Sequence, residues 1–389
     1  MNQLNIIYGK GGLNAQSPSE DLISGLLFYS TVTPFGFSAN SINQIFSVAE
    51  AEAFGIVLAA QVSASTITDV MHYHIVEFFR GNPVGNLFVG VSSTGDTAYT
   101  AVTTMQNFAT GKIRQIGVYE QLSATTANIS SLQAQATALE AVYMPLEIIY
   151  QPDFSTVSNL TTLANLHSLT AKNVAVCIGQ DGAAVGKALY NVIGKSIGTV
   201  GIALGTLSSA NVANSIAWVG AYNLDNGTEL DTLAFANGTL HTSLTTGQIT
   251  NIDTLGYIFP YKIVGISGSY FNNDYTAVAL TSDYAHLNLD RTIHKAGRTL
   301  RTFLLPQLAS PIYFNKDGTL RADTIGLYET ICSNALNSMV SNKELSDFSA
   351  IINPSQNVLS TGILAVNVKL IPVGTADIIN VNISFTLSL

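Results

Sequence analysis

Few residues in this chain stand where chemistry would need them. The run Ile193-Gly-Lys-Ser196 invites a phosphate-loop reading, but that motif requires glycine at position 189, where Leu189 stands. Upstream, Asp181-Gly-Ala-Ala-Val-Gly186 follows an apolar strand pattern and opens a helix. Backbone N–H groups there would suit an anion, the alternative being plain helix–sheet packing. His72 and His74 place two imidazoles near each other, yet no Glu or Cys falls at ligand spacing, so two ordinary histidines are expected. Asp225, Glu229 and Asp231 sit in a turn-rich loop without EF-hand spacing and read as solvated. No G-x-S-x-G elbow, C-x-x-C pair or G-x-G-x-x-G occurs. Cys177, in an apolar strand pattern, and Cys332, on a helix's apolar face, read as buried free thiols of a protein folded in a reducing cytoplasm. Trp218 reads as core or interface filler. These residues predict no catalytic site, no metal and no cofactor.

Charge says more than motif. The chain carries 16 Lys+Arg against 25 Asp+Glu, a net charge of −9, which makes nucleic acid a poor partner. Residues 1–290 hold 8 basic against 19 acidic side chains, whereas residues 291–389 hold 8 against 6. On a helix predicted from Leu287 toward Pro306, Arg291, His294, Lys295, Arg298 and Arg301 share one face. Leu289, Ile293, Ala296, Leu300, Phe303 and Leu304 lie opposite them. The cation row is either a solvated face or a contact for an acidic partner.

The elements that would position these groups alternate along the chain. Strands are predicted at 21–29, 87–91, 113–119, 146–150 and 173–178. Helices are predicted at 42–54, 65–80, 97–109, 122–142, 155–169 and from 182 to about 194, with the apolar run 200–204 following in that alternation. The fold class is therefore α/β with a mostly parallel sheet over residues 21–265. A C-terminal α+β domain over 266–376 follows, with a second helix at 322–340 and two period-2 strand patterns at 362–372 and 377–389. At the N-terminus, Leu4, Ile6, Ile7 and Tyr8 form a short strand before glycines, so residues 1–20 read as an arm. In the last stretch Ile379, Val381, Ile383, Phe385 and Leu387 alternate with polar residues. A strand ending the chain must pair with something, in its own subunit or in a neighbour.

Hydrophobic content of 47% with 11% charged residues leaves a surface covered by Ser, Thr, Asn and Gln, suited to a subunit buried against its copies. No apolar run approaches a membrane span, and no signal peptide is read at the N-terminus.

The order from Gly268 through the basic helix, the Leu-Leu-Pro306 end, the Asn315-Lys-Asp-Gly318 turn, the second helix and Val366-Asn-Val-Lys-Leu-Ile-Pro-Val373 resembles the C-terminal domain of contractile tail sheath proteins. The short sheath proteins of Bacteroidetes phages and related contractile injection systems are most similar. The resemblance implies a structural subunit, not an enzyme, that polymerises helically around an inner tail tube. Terminal arms donating strands to neighbours would link it. It also implies an outer α/β part, an inner C-terminal domain, baseplate and tail terminator proteins as further partners, and a place in a virion tail or injection-system particle assembled in the bacterial cytoplasm. Arg291, Lys295, Arg298 and Arg301 are then one candidate for the tube contact. The second helix, with Asp323, Glu329, Lys343 and Glu344 near it, competes.

Two other readings stay open. A capsid or surface-layer protein would share the uncharged surface and the arms, but would be expected to carry basic regions or a signal peptide. An α/β ligand-binding enzyme would be a discrete particle with a closed pocket at the strand ends.

Overall fold

The computed structural model describes residues 20–34, 36–37, 41–58 and 67–385. The chain divides into two compact units, Met1–Val212 with Ile216–His294, and Ala213–Ser215 with Lys295–Leu389. The boundary expected after residue 265 lies upstream of this division, because Phe271, Ala277 and Leu287 pack into the cores of the first unit.

The first unit is built on β1 (Ile23–Tyr29), β2 (Ile42–Ile45), β3 (Asn86–Ser92), β4 (Gln115–Ser123), β5 (Glu147–Asp153) and β7 (Val174–Val176), with the short β6 (Thr170–Ala171) before the last. The sheet order is β2-β3-β1-β4-β5-β7. Only β2 runs antiparallel. Every residue of β1, β3 and β5 is buried. This is why β1 and β3 read as near-continuous apolar runs and why parallel pairing is stable here, with helices covering both faces, while β5 also buries the polar Glu147, Gln151 and Asp153. One core packs Leu26 and Phe28 against α2 (Ile67–Gly81) and α6 (Val200–Ser209). The other packs Leu27 and Tyr29 against α3 (Thr100–Phe108) and α4 (Thr126–Ala141). Three antiparallel pairs complete the unit: β8 (Gly179–Asp181) with β9 (Leu233–Phe235), β10 (Pro260–Tyr261) with β11 (Tyr270–Phe271), and β12 (Ala277–Val278) with β6.

The α/β class with a mostly parallel sheet is thus as expected, and the departures from the element plan have local causes. The run 200–204 is a helix, because a segment buried on all sides, as this one is, reads as apolar all round whether helical or extended. Residues 42–54 split into β2 and α1 (Val48–Ala53), since the Ser47 side chain accepts from the Glu50 amide and starts the helix late. Residues 155–169 form two short 3-10 turns, because the side chains of Asn159 and Asn165 accept from the amides of Thr161 and His167 and divert the backbone. β4 runs on to Ser123, so the following helix begins only at Thr126.

The second unit holds the C-terminal half of α8 (Leu287–Leu304), α9 (Ala322–Ser341), α10 (Val358–Thr361) and an antiparallel pair, β13 (Leu345–Ile351) with β14 (Asn367–Pro372). Two small cores hold it together. Ala296, Leu336, Met339 and Leu345 form one, and Leu320, Tyr328, Ile352 and Val358 the other. β13 is not legible as a strand beforehand, since Leu345-Ser-Asp-Phe-Ser-Ala-Ile351 buries only its first residue fully. The second helix is where it was expected.

Among the described residues no helix is long and apolar enough to cross a membrane. Both cysteines are buried and free.

Candidate functional site

Helix α8 carries the cation row, and the structure divides it. Arg291 is buried, 4% exposed, with a guanidinium N–H donating to the Ala210 carbonyl oxygen at 3.2 Å. His294 is also buried. Both belong to the α/β unit. Lys295 lies in the second unit, half-buried, with its Nζ 2.5 Å from Glu344 Oε1. Arg298 is half-buried and Arg301 exposed. Arg291 is therefore no part of an exposed stripe.

The apolar face expected on α8 is inverted over its first two turns. Asn288, Asp290, Arg291, Thr292 and His294 are buried while Ile293 is exposed. From Ala296 onward the expected face returns, with Ala296, Leu300 and Leu304 packing into the second unit's cores. The inversion follows from what α8 meets, a set of buried polar side chains. His294 Nδ1 lies 2.6 Å from Glu147 Oε1 on β5, and Asn173 Nδ2 donates to Asp290 Oδ2 at 2.7 Å. His286 Nδ1 lies 2.9 Å from Asp274 Oδ1. Burial presses the His294 pKa down, but the Glu147 and Glu140 carboxylates outweigh it and raise it to about 10. Burial lifts the Asp290 carboxyl well above its ordinary value, and the neighbouring Glu147 charge adds to this. Glu147, Asp290 and His294 bring donor atoms within 4.8 Å of one another. Sequence reasoning missed this cluster. Its only local signal is the four-residue spacing of Asp290 and His294, and the other members come from distant elements.

The start of α5 (Val185–Ile193), weighed as an anion site against plain helix–sheet packing, is filled by the chain's own carboxylates. Asp181 Oδ2 accepts from the amides of Ala183, Ala184 and Lys187 at 3.2, 2.6 and 3.1 Å, and Glu229 Oε1 accepts from the Val185 amide at 2.8 Å. No N–H among these is left for a phosphate. Glu229, read as solvated, is buried beside the Tyr73 hydroxyl. Asp225 takes the Gly227 amide, and Asp231 pairs with Lys262. Lys195 pairs with Asp153, while Ser196 accepts from Phe154 N and donates to Ala236 O, so that segment is structural. His72 pairs with Glu52, and His74 stacks in the core with Phe28 and Tyr119, so the two imidazoles do not converge. Trp218 is half exposed, which removes the core reading.

Leu4, Ile6, Ile7, Tyr8 and Leu387 lie outside the described residues. Ile379, Val381, Ile383 and Phe385 are all exposed, and residues 373–385 find no strand partner among the described residues. β13 and β14 pair only with each other among the described residues, so each presents an outer edge without a ladder partner. One face of this ribbon packs Phe348, Val368 and Leu370 against Leu336 and Met339. A two-stranded sheet is marginal in water without such cover, and its open backbone groups are templates for another strand.

The fold is that of solved contractile assemblies. A chain of the anti-feeding prophage helical sheath in its contracted state matches with a TM-score of 0.62 and 14% identity, over 100% of both chains. A chain of an extracellular contractile injection system, the PVC sheath complex in its contracted state, matches at 0.60 and 12%, over 100% of this chain and 99% of the other. The sheath tail protein Lin1278 from Listeria innocua matches at 0.51 and 10%, over 90% and 94%. No curated protein matches the chain. Two family models cover it almost end to end, DUF2586, N-terminal domain, over residues 4–275 and DUF2586, C-terminal domain, over residues 283–389, and the chain belongs to the DUF2586 family.

Proposed function

We propose that the protein is the structural subunit of a contractile sheath, polymerising helically by strand exchange around an inner tube and driving that tube outward on contraction. One observation carries this reading: a chain with the fold of sheath subunits over its whole length also has, among its described residues, an alternating C-terminal stretch without a strand partner and a β ribbon open on both edges. The donated strand would run through Ile379, Val381, Ile383, Phe385 and Leu387, with Leu4, Ile6, Ile7 and Tyr8 as its N-terminal counterpart. Both would add to a neighbour's β13–β14 edge by main-chain pairing. Each added ladder bond contributes about 0.5–1.5 kcal/mol net, and a 13-residue strand spans roughly 40 Å, so subunits can shift without losing their neighbours.

Contraction needs no nucleotide. An extended lattice that gives way to one with more buried interface supplies the energy as a rigid-body rearrangement. For the tube contact we favour Lys295, Arg298 and Arg301 of the original row, with the exposed face of α9 competing; ion pairs there would be individually weak, about 0–1 kcal/mol, and salt-sensitive. Baseplate and terminator proteins would bound the polymer, within a tail or injection-system particle assembled in the bacterial cytoplasm. The function is mechanical, not enzymatic.

The test is negative-stain microscopy of the full chain beside truncations lacking residues 1–12 or 377–389. Tubes or sheath segments from the full chain, lost in either truncation while far-UV circular dichroism is retained, are expected. A monodisperse particle in all three would overturn the reading.

A further inference from the structure

We infer that His294, Asp290 and Glu140 form a binding site for a divalent transition metal ion, with zinc as the ion that fits best. All three residues lie in the α/β unit, on α8 and α4. Asp290 and His294 stand four residues apart and so share one helix face.

The imidazole is oriented as a ligand's would be. Its Nδ1 is held 2.6 Å from Glu147 Oε1, which leaves Nε2 directed away from β5. A carboxylate holding one ring nitrogen is the arrangement that fixes the other on a metal. Nε2 lies 3.6 Å from Asp290 Oδ1 and 3.9 Å from Glu140 Oε1. These are ion-pair distances, too long for hydrogen bonds. Both Nε2 and Asp290 Oδ1 are buried without a hydrogen-bond partner, on side chains 8% and 0% exposed. Two facing orphaned polar atoms are costly in a protein interior.

One ion removes both orphans at once. Zinc binds nitrogen and oxygen at about 2.0–2.2 Å, which sets neighbouring ligands roughly 3.3–4 Å apart, and Nε2 stands at such distances from Asp290 Oδ1 and from Glu140 Oε1. The imidazole donor and the small number of oxygens speak for zinc over calcium or magnesium. Asn173 Nδ2 already engages Asp290 Oδ2, so Oδ1 is the oxygen left to ligate. Glu140 supplies the way in: its side chain is 39% exposed and shares its carboxylate with Lys172 Nζ at 2.9 Å. On metal binding the N–metal bond replaces the N–H bond at Nε2, an O–metal bond replaces the O–H bond of the Asp290 carboxyl, both protons pass to water, and Glu140 turns from Lys172 to the ion. Water completes the coordination.

The experiment is dialysis of the full-length chain against cobalt(II), read by visible absorption and by metal content. About one ion per chain and the d–d bands of a low-coordinate nitrogen–oxygen site are expected, with zinc displacing cobalt. Glu140→Gln, at a half-exposed position that leaves the fold intact by circular dichroism, should weaken uptake at least tenfold. Asp290→Asn should abolish it. Glu329→Gln, on α9, should change nothing. Uptake below a tenth of an ion per chain in the wild type, or uptake equal in wild type and Glu140→Gln, overturns the assignment.

Discussion

Glu229 and His74 are two buried titratable side chains whose environments make opposite demands on pH. Burial, helped by Asp181 and Glu77, raises the Glu229 carboxyl to about 7, although the Val185 amide works against it. Between its unfolded value and 7 the folded chain holds a proton that the unfolded chain has lost, so stability falls as pH rises through that window. Glu229→Gln keeps an acceptor for Val185 and removes the charge. Its denaturant midpoint is expected to exceed the wild type's at pH 8 and to match it at pH 4.5, with a gain of about 1–2 kcal/mol after allowance for partial solvation.

His74 behaves in the other direction. Burial lowers it to about 3, so below its ordinary value the unfolded chain takes up a proton that the folded chain refuses. Stability present near neutrality is lost as pH falls toward 3. In His74→Gln, acid unfolding followed by tryptophan fluorescence should move to lower pH. An unchanged acid midpoint would mean that other groups set it.

At the scale of elements, α2 and α6 meet backbone to backbone through glycine. A Cβ added at Gly201 would lie 2.4 Å from the His74 carbonyl oxygen, and one at Gly205 2.4 Å from that of Phe78. No side chain can yield there, so Gly201→Ala or Gly205→Ala must push the helices apart, at a cost of about 1–3 kcal/mol or more. Chemical denaturation of each variant, compared with Gly247→Ala in α7 (Thr246–Thr254), where a Cβ meets nothing, checks this. The second unit has a much smaller core, and Leu336 is fully buried in it. Leu336→Ala should cost about 2–5 kcal/mol. The loss should appear first as raised hydrogen exchange in α9 and β13, ahead of the parallel sheet.

For the whole molecule, the sheath proposal makes assembly depend on edges, not on a pocket. Val381→Asp combined with Ile383→Asp would place charge on the strand face expected to be buried by a neighbour. Tube formation should fail while the melting temperature of the free subunit stays within a few degrees, because these side chains are already exposed in the single chain. Survival of tubes would rule out the C-terminal stretch as a donated strand.

The sequence by itself determined the alternation of strands and helices, the parallel sheet and the lack of a chemical motif. It also carried the alternating C-terminal stretch that finds no strand partner among the described residues. These are local or periodic signals, written in two- and four-residue spacings that depend little on what lies opposite. Only the tertiary structure decided which face of α8 is buried, that Asp181 and Glu229 close the start of α5, and that His294 meets Glu147 and Glu140. It also decided that the run 200–204 is helical and that Leu345–Ile351 is a strand. Each of these depends on a partner far away in the chain. A charged side chain is exposed by default, and it is buried only where a distant group compensates it, which spacing along one segment does not record.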